Sequence, residues 1–139
     1  MKNLNKILSF ASDNGVHIVL ETDMQPQHFR EFLDKFDSEV FANYDTGNSA
    51  SLQYDVVEEL AILSDKIKNI HIKDRLSGGK TVPLGTGDTK FDLFFANLKN
   101  TNYRGDLIIQ GARESEFTPK QTCDKYYKFV KQYVDKYFK

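Results

Sequence analysis

Apolar positions recur along the chain in two alternating rhythms. Leu4, Ile7, Leu8 and Ala11 fall at helical spacing up to about Asp13, and Asn14-Gly15 supplies a stop. The run Val16 to Glu21, VHIVLE, is β-branched and predicts a strand. Pro26 opens a helix carrying Phe29, Phe32, Leu33 and Phe36 on one face, and the following EVFANYD, 39–45, predicts a second strand. A polar turn, TGNSAS, precedes a helix from Tyr54 to Leu63 with Val56, Val57, Leu60 and Ala61 as its stripe. IKNIHIK, 67–73, reads as a third strand. The glycine-rich DRLSGGKTVPLGTGD reads as a long loop of the kind that carries function. Phe91 to Leu98 predicts a helix, GDLIIQGA a fourth strand, and Thr118-Pro119 the cap of a long final helix.

The order is a helix followed by four strand-helix units. Such spacing predicts right-handed crossovers and a parallel α/β sheet, either small and doubly wound or part of a barrel. Read to their C-terminal ends, the four strands finish on Glu21, Asp45, His71 and Gln110. Any one of these has a bland explanation, since polar residues surface at strand ends. Four together do not, because the C-terminal edge of a parallel sheet is where ligands bind. Two carboxylates, an imidazole and an amide oxygen suit a divalent cation such as Mn²⁺ or Mg²⁺.

Composition narrows the class. With 139 residues the chain has one domain's worth of core, and 40% hydrophobic with 28% charged residues is ordinary for a globular protein. A net charge of −1 gives no sign of non-specific attraction to nucleic acid or an anionic membrane. The single cysteine, Cys123, excludes an internal disulfide framework. There is no apolar run of membrane-spanning length and no signal-peptide pattern, so a cytoplasmic protein is expected.

The segments LETD, NYDTGN, NIHIKDR, VPLGTGDTKF and YRGDLIIQGAR resemble the C-terminal half of the sugar-phosphate isomerase/epimerase family. This family lies within the xylose-isomerase-like TIM-barrel superfamily, and the similarity is to its L-ribulose-5-phosphate 3-epimerase-like branch. The resemblance runs from about residue 4 to residue 135. It implies a single partial domain over 1–139, a parallel (β/α)4 half of a TIM barrel equivalent to strands five to eight, with the N-terminal half absent. It further implies Glu21 as metal ligand and catalytic acid/base, Asp45 and His71 as ligands, and Asn48, Lys73 and Arg75 as substrate contacts. The implied cofactor is a divalent metal ion (Mn²⁺, Mg²⁺, Co²⁺ or Zn²⁺), and the implied substrate a sugar or sugar phosphate.

Two departures from the family pattern matter. The fourth ligand is usually a glutamate, and here Gln110 stands in its place. An amide oxygen can coordinate a hard cation but cannot accept a proton from carbon, so two-base epimerisation is placed in doubt and a single-base isomerisation by Glu21 fits better. The second departure is length, since a TIM barrel needs eight strands and about 250 residues. Four strands leave two open edges, so the expected partners are further copies of the chain or a complementary N-terminal half-barrel. A non-catalytic or partner-dependent half, which binds sugar or merely assembles and needs a second half to form a site, is the competing function. The endonuclease IV-type branch needs more histidine and carboxylate ligands and a basic face, which the sequence lacks.

Other conspicuous residues have simpler expectations. His17 is expected to be buried and hydrogen-bonded, His28 solvated and Cys123 a small packing residue. Gly78, Gly79, Gly85 and Gly87 match no phosphate-binding fingerprint and suit a tight loop over the site, with Lys80 beside Lys73 and Arg75 as a further cation near a phosphate. The stripe Tyr126, Phe129, Val130, Tyr133, Val134 and Tyr137 fits an outer helix of a barrel.

Overall fold

The computed structural model describes residues 2–36 and 40–138. Its helices are α1 (Lys2–Asp13), α2 (Pro26–Leu33), α3 (Thr46–Leu52), α4 (Val56–Leu63), α5 (Phe91–Leu98) and α6 (Pro119–Tyr137). The strands are β1 (Ile18–Leu20), β2 (Val40–Asp45), β3 (Ile67–Ile72), β4 (Asp74–Arg75), β5 (Thr81–Val82) and β6 (Leu107–Ile109). β1, β2, β3 and β6 form one parallel sheet in that order, as the strand-helix alternation predicts. Glu39, the expected first residue of the second strand, lies outside the described residues.

One face of this sheet carries the core. Leu8, Phe29, Leu33, Leu60, Phe94, Phe95, Tyr126 and Val130 from the helices meet Val40, Ala42, Tyr44, Ile70 and Ile72 in a single cluster. Aromatic rings knit it together, with Tyr44 stacked on Phe94 and Tyr133 stacked on Phe95. The α6 N-terminus is fixed by a capping box between Thr118 and Gln121, with Pro119 behind it. No helix among the described residues is long and apolar enough to cross a membrane.

The register between β2 and β3 contains a bulge that decides what the opposite face displays. Ala42 pairs with Ile67, but Asn43 pairs with Asn69 and Asp45 with His71, so Lys68 is the extra residue. A side chain changes face at every step of a strand, and an unbroken ladder would set Asp45 beside the core residue Ile70. The bulge puts Asn69 and His71 on the same face as Asn43 and Asp45.

Several expectations change. TGNSAS is not a turn but most of α3, capped by Asp45, whose side chain accepts the Asn48 amide hydrogen bond. Ser49 and Ser51 are buried in it, which a polar sequence conceals. In α4 the buried stripe is Val56, Glu59, Leu60 and Leu63, while Val57 and Ala61 are exposed. The first strand shrinks to three residues, and His17 is exposed rather than buried, edge-on to Phe41 at 5.1 Å. Cys123 is likewise exposed rather than packed.

Candidate metal centre

Glu21 follows β1, Asp45 ends β2 and His71 is the penultimate residue of β3, so three adjacent strands deliver them to one end of the sheet. One donor atom from each lies within 4.8 Å of the others. His71 Nδ1 is 3.3 Å from Glu21 Oε2 and 3.8 Å from Asp45 Oδ2. Ligand atoms at right angles around a cation about 2.1 Å away lie about 3 Å apart, so the spacing suits a shared ion.

The surroundings support the same chemistry. The Asp45 carboxylate is 1% exposed; its Oδ1 accepts the Asn48 amide at 2.8 Å, while Oδ2 is buried without a hydrogen-bond donor. The nearest cation is Lys73 Nζ, 3.5 Å away. An orphaned, buried carboxylate oxygen facing an imidazole and a second carboxylate is costly unless a cation joins it. Burial pushes the Asp45 carboxyl above its ordinary range, opposed by the Asn48 hydrogen bond and the Lys73 charge. Two carboxylates and a histidine fit Mn²⁺, Mg²⁺, Co²⁺ or Zn²⁺, and Glu21, Asp45 and His71 are the residues that would hold the ion.

Three asparagines complete the arrangement. Asn48 donates to Glu21 Oε1 at 2.8 Å, and Asn43 donates to Glu21 Oε2. Asn43 Nδ2 also lies 3.1 Å from His71 Nδ1, and Asn69 Nδ2 holds Asn43 Oδ1 at 2.7 Å. Asn43 and Asn69 escaped the sequence reading, although each stands two residues before a strand-end residue and therefore on the same face of its strand.

The other expected residues divide. Asn48 joins Glu21 to Arg75, whose Nη1 donates to Asn48 Oδ1 at 2.9 Å, and Lys73 reaches Asp45. Gln110 follows β6 beside β3, with its backbone amide bonded to Ile72 O at 3.0 Å; its side chain is exposed and makes no hydrogen bond to the other three among the described residues. Lys80 is exposed and makes no side-chain bond to the cluster among the described residues.

The long loop is more ordered than expected. It begins with the antiparallel hairpin β4–β5, in which the two nitrogens Nε and Nη2 of Arg75 donate to Gly79 O. Asp74, fully buried, accepts backbone hydrogen bonds from Gly85, Gly87 and Thr89 and so ties the loop down. A Cβ at Gly87 would collide with the Asp74 carboxylate, which explains that glycine without any phosphate.

With this geometry in view, a model of the family described as Xylose isomerase-like TIM barrel matches residues 1–132. The chain belongs to that family. It is 34% identical over 88 residues to the L-ribulose-5-phosphate 3-epimerase UlaE of Salmonella paratyphi A, covering 63% of this chain and 31% of that protein. It is 32% identical over 139 residues to the inosose dehydratase of Mesomycoplasma hyopneumoniae, covering 81% of this chain and 46% of that protein. The crystal structure of a xylose isomerase domain protein from Planctomyces limnophilus superposes with a TM-score of 0.82 at 25% identity, over 96% of this chain and 52% of that one. The chain thus spans less than half the length of these two curated relatives, and its four-stranded sheet with flanking helices is half of a TIM barrel.

Proposed function

We propose that this chain carries the cation-binding half of an isomerase or epimerase acting on a sugar or sugar phosphate. The observation that carries the proposal is the convergence of Glu21, Asp45 and His71 at the C-terminal ends of three neighbouring parallel strands, with Asp45 Oδ2 buried and unsatisfied. Relatives named for epimerising L-ribulose 5-phosphate and for dehydrating inosose support a sugar-related substrate. A bound divalent cation supplies a Lewis acid for the substrate's carbonyl oxygen.

The chain's own residues would do the rest. Glu21, 36% exposed at its side chain and steadied by two asparagine amides, is placed to take the proton from the carbon next to the carbonyl and to return it. Lys73 and Arg75, on the same edge, offer cationic contacts for a phosphate or for hydroxyl oxygens, and Asn48 an amide. Gln110 would add a weak fourth ligand and no base, which favours proton movement by Glu21 alone.

A partner-dependent half-barrel is the second reading, supported by the unpaired edges of β1 and β6 among the described residues and by the coverage of about half a barrel. The partner is a second copy or a complementary half. One experiment separates the readings: the chain is incubated with Mn²⁺ and a ketopentose phosphate in D2O, and proton NMR follows deuterium entering the carbon next to the carbonyl. Exchange that disappears in Glu21→Gln supports catalysis. Cation binding without exchange defeats it for the chain alone and leaves the half that needs a partner.

A further inference from the structure

We propose that Glu59, a buried carboxylate on α4, is the positioning residue for the Asp45–Asn48 corner, an assignment that rests on the cation site proposed above. Glu59 is 6% exposed and occupies a helix face otherwise formed by Val56, Leu60 and Leu63. It has no ion pair among the described residues. Its hydrogen bonds come from two hydroxyls, Tyr44 Oη at 2.7 Å and Ser49 Oγ, which are themselves 3.2 Å apart. A leucine there would serve a core better, since a buried carboxylate without a cation costs stability.

The location of the two hydroxyls gives the carboxylate a task. Tyr44 immediately precedes Asp45, and Ser49 immediately follows Asn48. Glu59 therefore grips both ends of the segment in which the Asn48 amide holds Asp45 Oδ1 and the Asn48 side chain holds Glu21. Both hydroxyls donate to the one oxygen Oε2, so a glutamine oxygen could accept them in its place, without the charge that strengthens a carboxylate's hydrogen bonds. A cavity of about 30 Å³ has Glu59, Tyr44 and Ser49 in its lining together with Glu21, Asp45 and Asn48. That is room for about one water and none for a sugar, so Glu59 supports the site from behind and does not meet substrate. Burial also pushes the Glu59 carboxyl above its ordinary range, which the Ser49 and Tyr44 hydrogen bonds oppose.

The test compares Glu59→Ala, Glu59→Gln, Tyr44→Phe and Ser49→Ala with the wild type by Mn²⁺ titration calorimetry and amide hydrogen exchange. Glu59→Ala is expected to weaken Mn²⁺ binding about 10- to 100-fold, as loss of a group that orients a ligand does. Glu59→Gln should recover part of that loss, and the two hydroxyl variants should fall between. The Asn48 amide should exchange faster in Glu59→Ala while the Val57 amide, bonded to Asp55, keeps its protection. A folded Glu59→Ala with unchanged Mn²⁺ affinity and unchanged Asn48 exchange overturns the proposal and leaves Glu59 as a packing group. If Glu59→Ala does not fold, unchanged affinity in both Tyr44→Phe and Ser49→Ala overturns it equally. A wild type that binds no Mn²⁺ sinks the cation site instead, and Asn48 exchange then decides the role of Glu59 by itself.

Discussion

Ile70 and Ile72 are fully buried against the helices, while His71 between them points the other way into two carboxylates and an amide. The same contrast runs through β2, where Ala42 and Tyr44 join the core and Asn43 and Asp45 join the polar cluster. The helix-covered face is continuous and aromatic-rich. The opposite face is a polar ladder flanked by apolar residues left partly open, Val19 at 37% and Ile108 at 44% exposed. One face is covered by this chain's own helices and maintains the fold; the other displays the residues of the candidate cation site.

Truncation at matched positions breaks or sharpens this contrast. Ile70→Ala, on the helix-covered face, is expected to cost about 2–5 kcal/mol in urea unfolding, from lost burial plus the cavity left behind. Ile108→Ala, one strand away on the open face, should cost less than about 0.5 kcal/mol in the same experiment. Equal losses at the two positions would show that the open face is covered in solution.

The next effects belong to the site and should leave the core untouched. His71→Ala is expected to lower Mn²⁺ affinity about 100-fold, the weight of one direct ligand, with the unfolding midpoint near that of the wild type. Gln110→Glu should raise affinity by about tenfold, because it restores a charged oxygen ligand at the fourth strand end. No gain from Gln110→Glu would mean that the exposed Gln110 side chain does not turn towards the cluster when an ion binds.

The smallest effect is on pH. Burial raises the carboxyls of Asp45 and Glu59 above their ordinary values of 3.8 and 4.5. An acid whose folded pKa is raised binds its proton more tightly in the folded state, so its contribution to stability grows as pH falls through the raised value and levels off below the ordinary one. Relative to Glu59→Gln, the wild type should therefore gain thermal stability as pH falls from neutrality into the carboxylate range. Mn²⁺ affinity should move the opposite way, since Asp45 must be ionised to bind. Parallel slopes would contradict this assignment.

Much of the architecture could be read from particular residues. The Phe29–Leu33 stripe, the Thr118-Pro119 cap and the alternation of Ile70 and Ile72 each reflect a local rule, and each element formed where the rule placed it. The strand-end residues Glu21, Asp45 and His71 were visible because parallel strands share a direction. What stayed hidden depends on tertiary contacts. TGNSAS looks like a turn until Asp45 caps it and Glu59 accepts Ser49, and Glu59 itself hides as one acid in an apolar stripe. The Lys68 bulge, which aligns Asn43 with Asn69, leaves no mark in a hydrophobic pattern.

The central claim is that Glu21, Asp45 and His71 form one cation site, and titration calorimetry of Mn²⁺ into the purified chain tests it most directly. One ion should bind per chain with about micromolar affinity, weakened about 100-fold in both Glu21→Gln and His71→Ala while their circular dichroism matches the wild type. No binding by the wild type, or binding that neither substitution weakens, would contradict it.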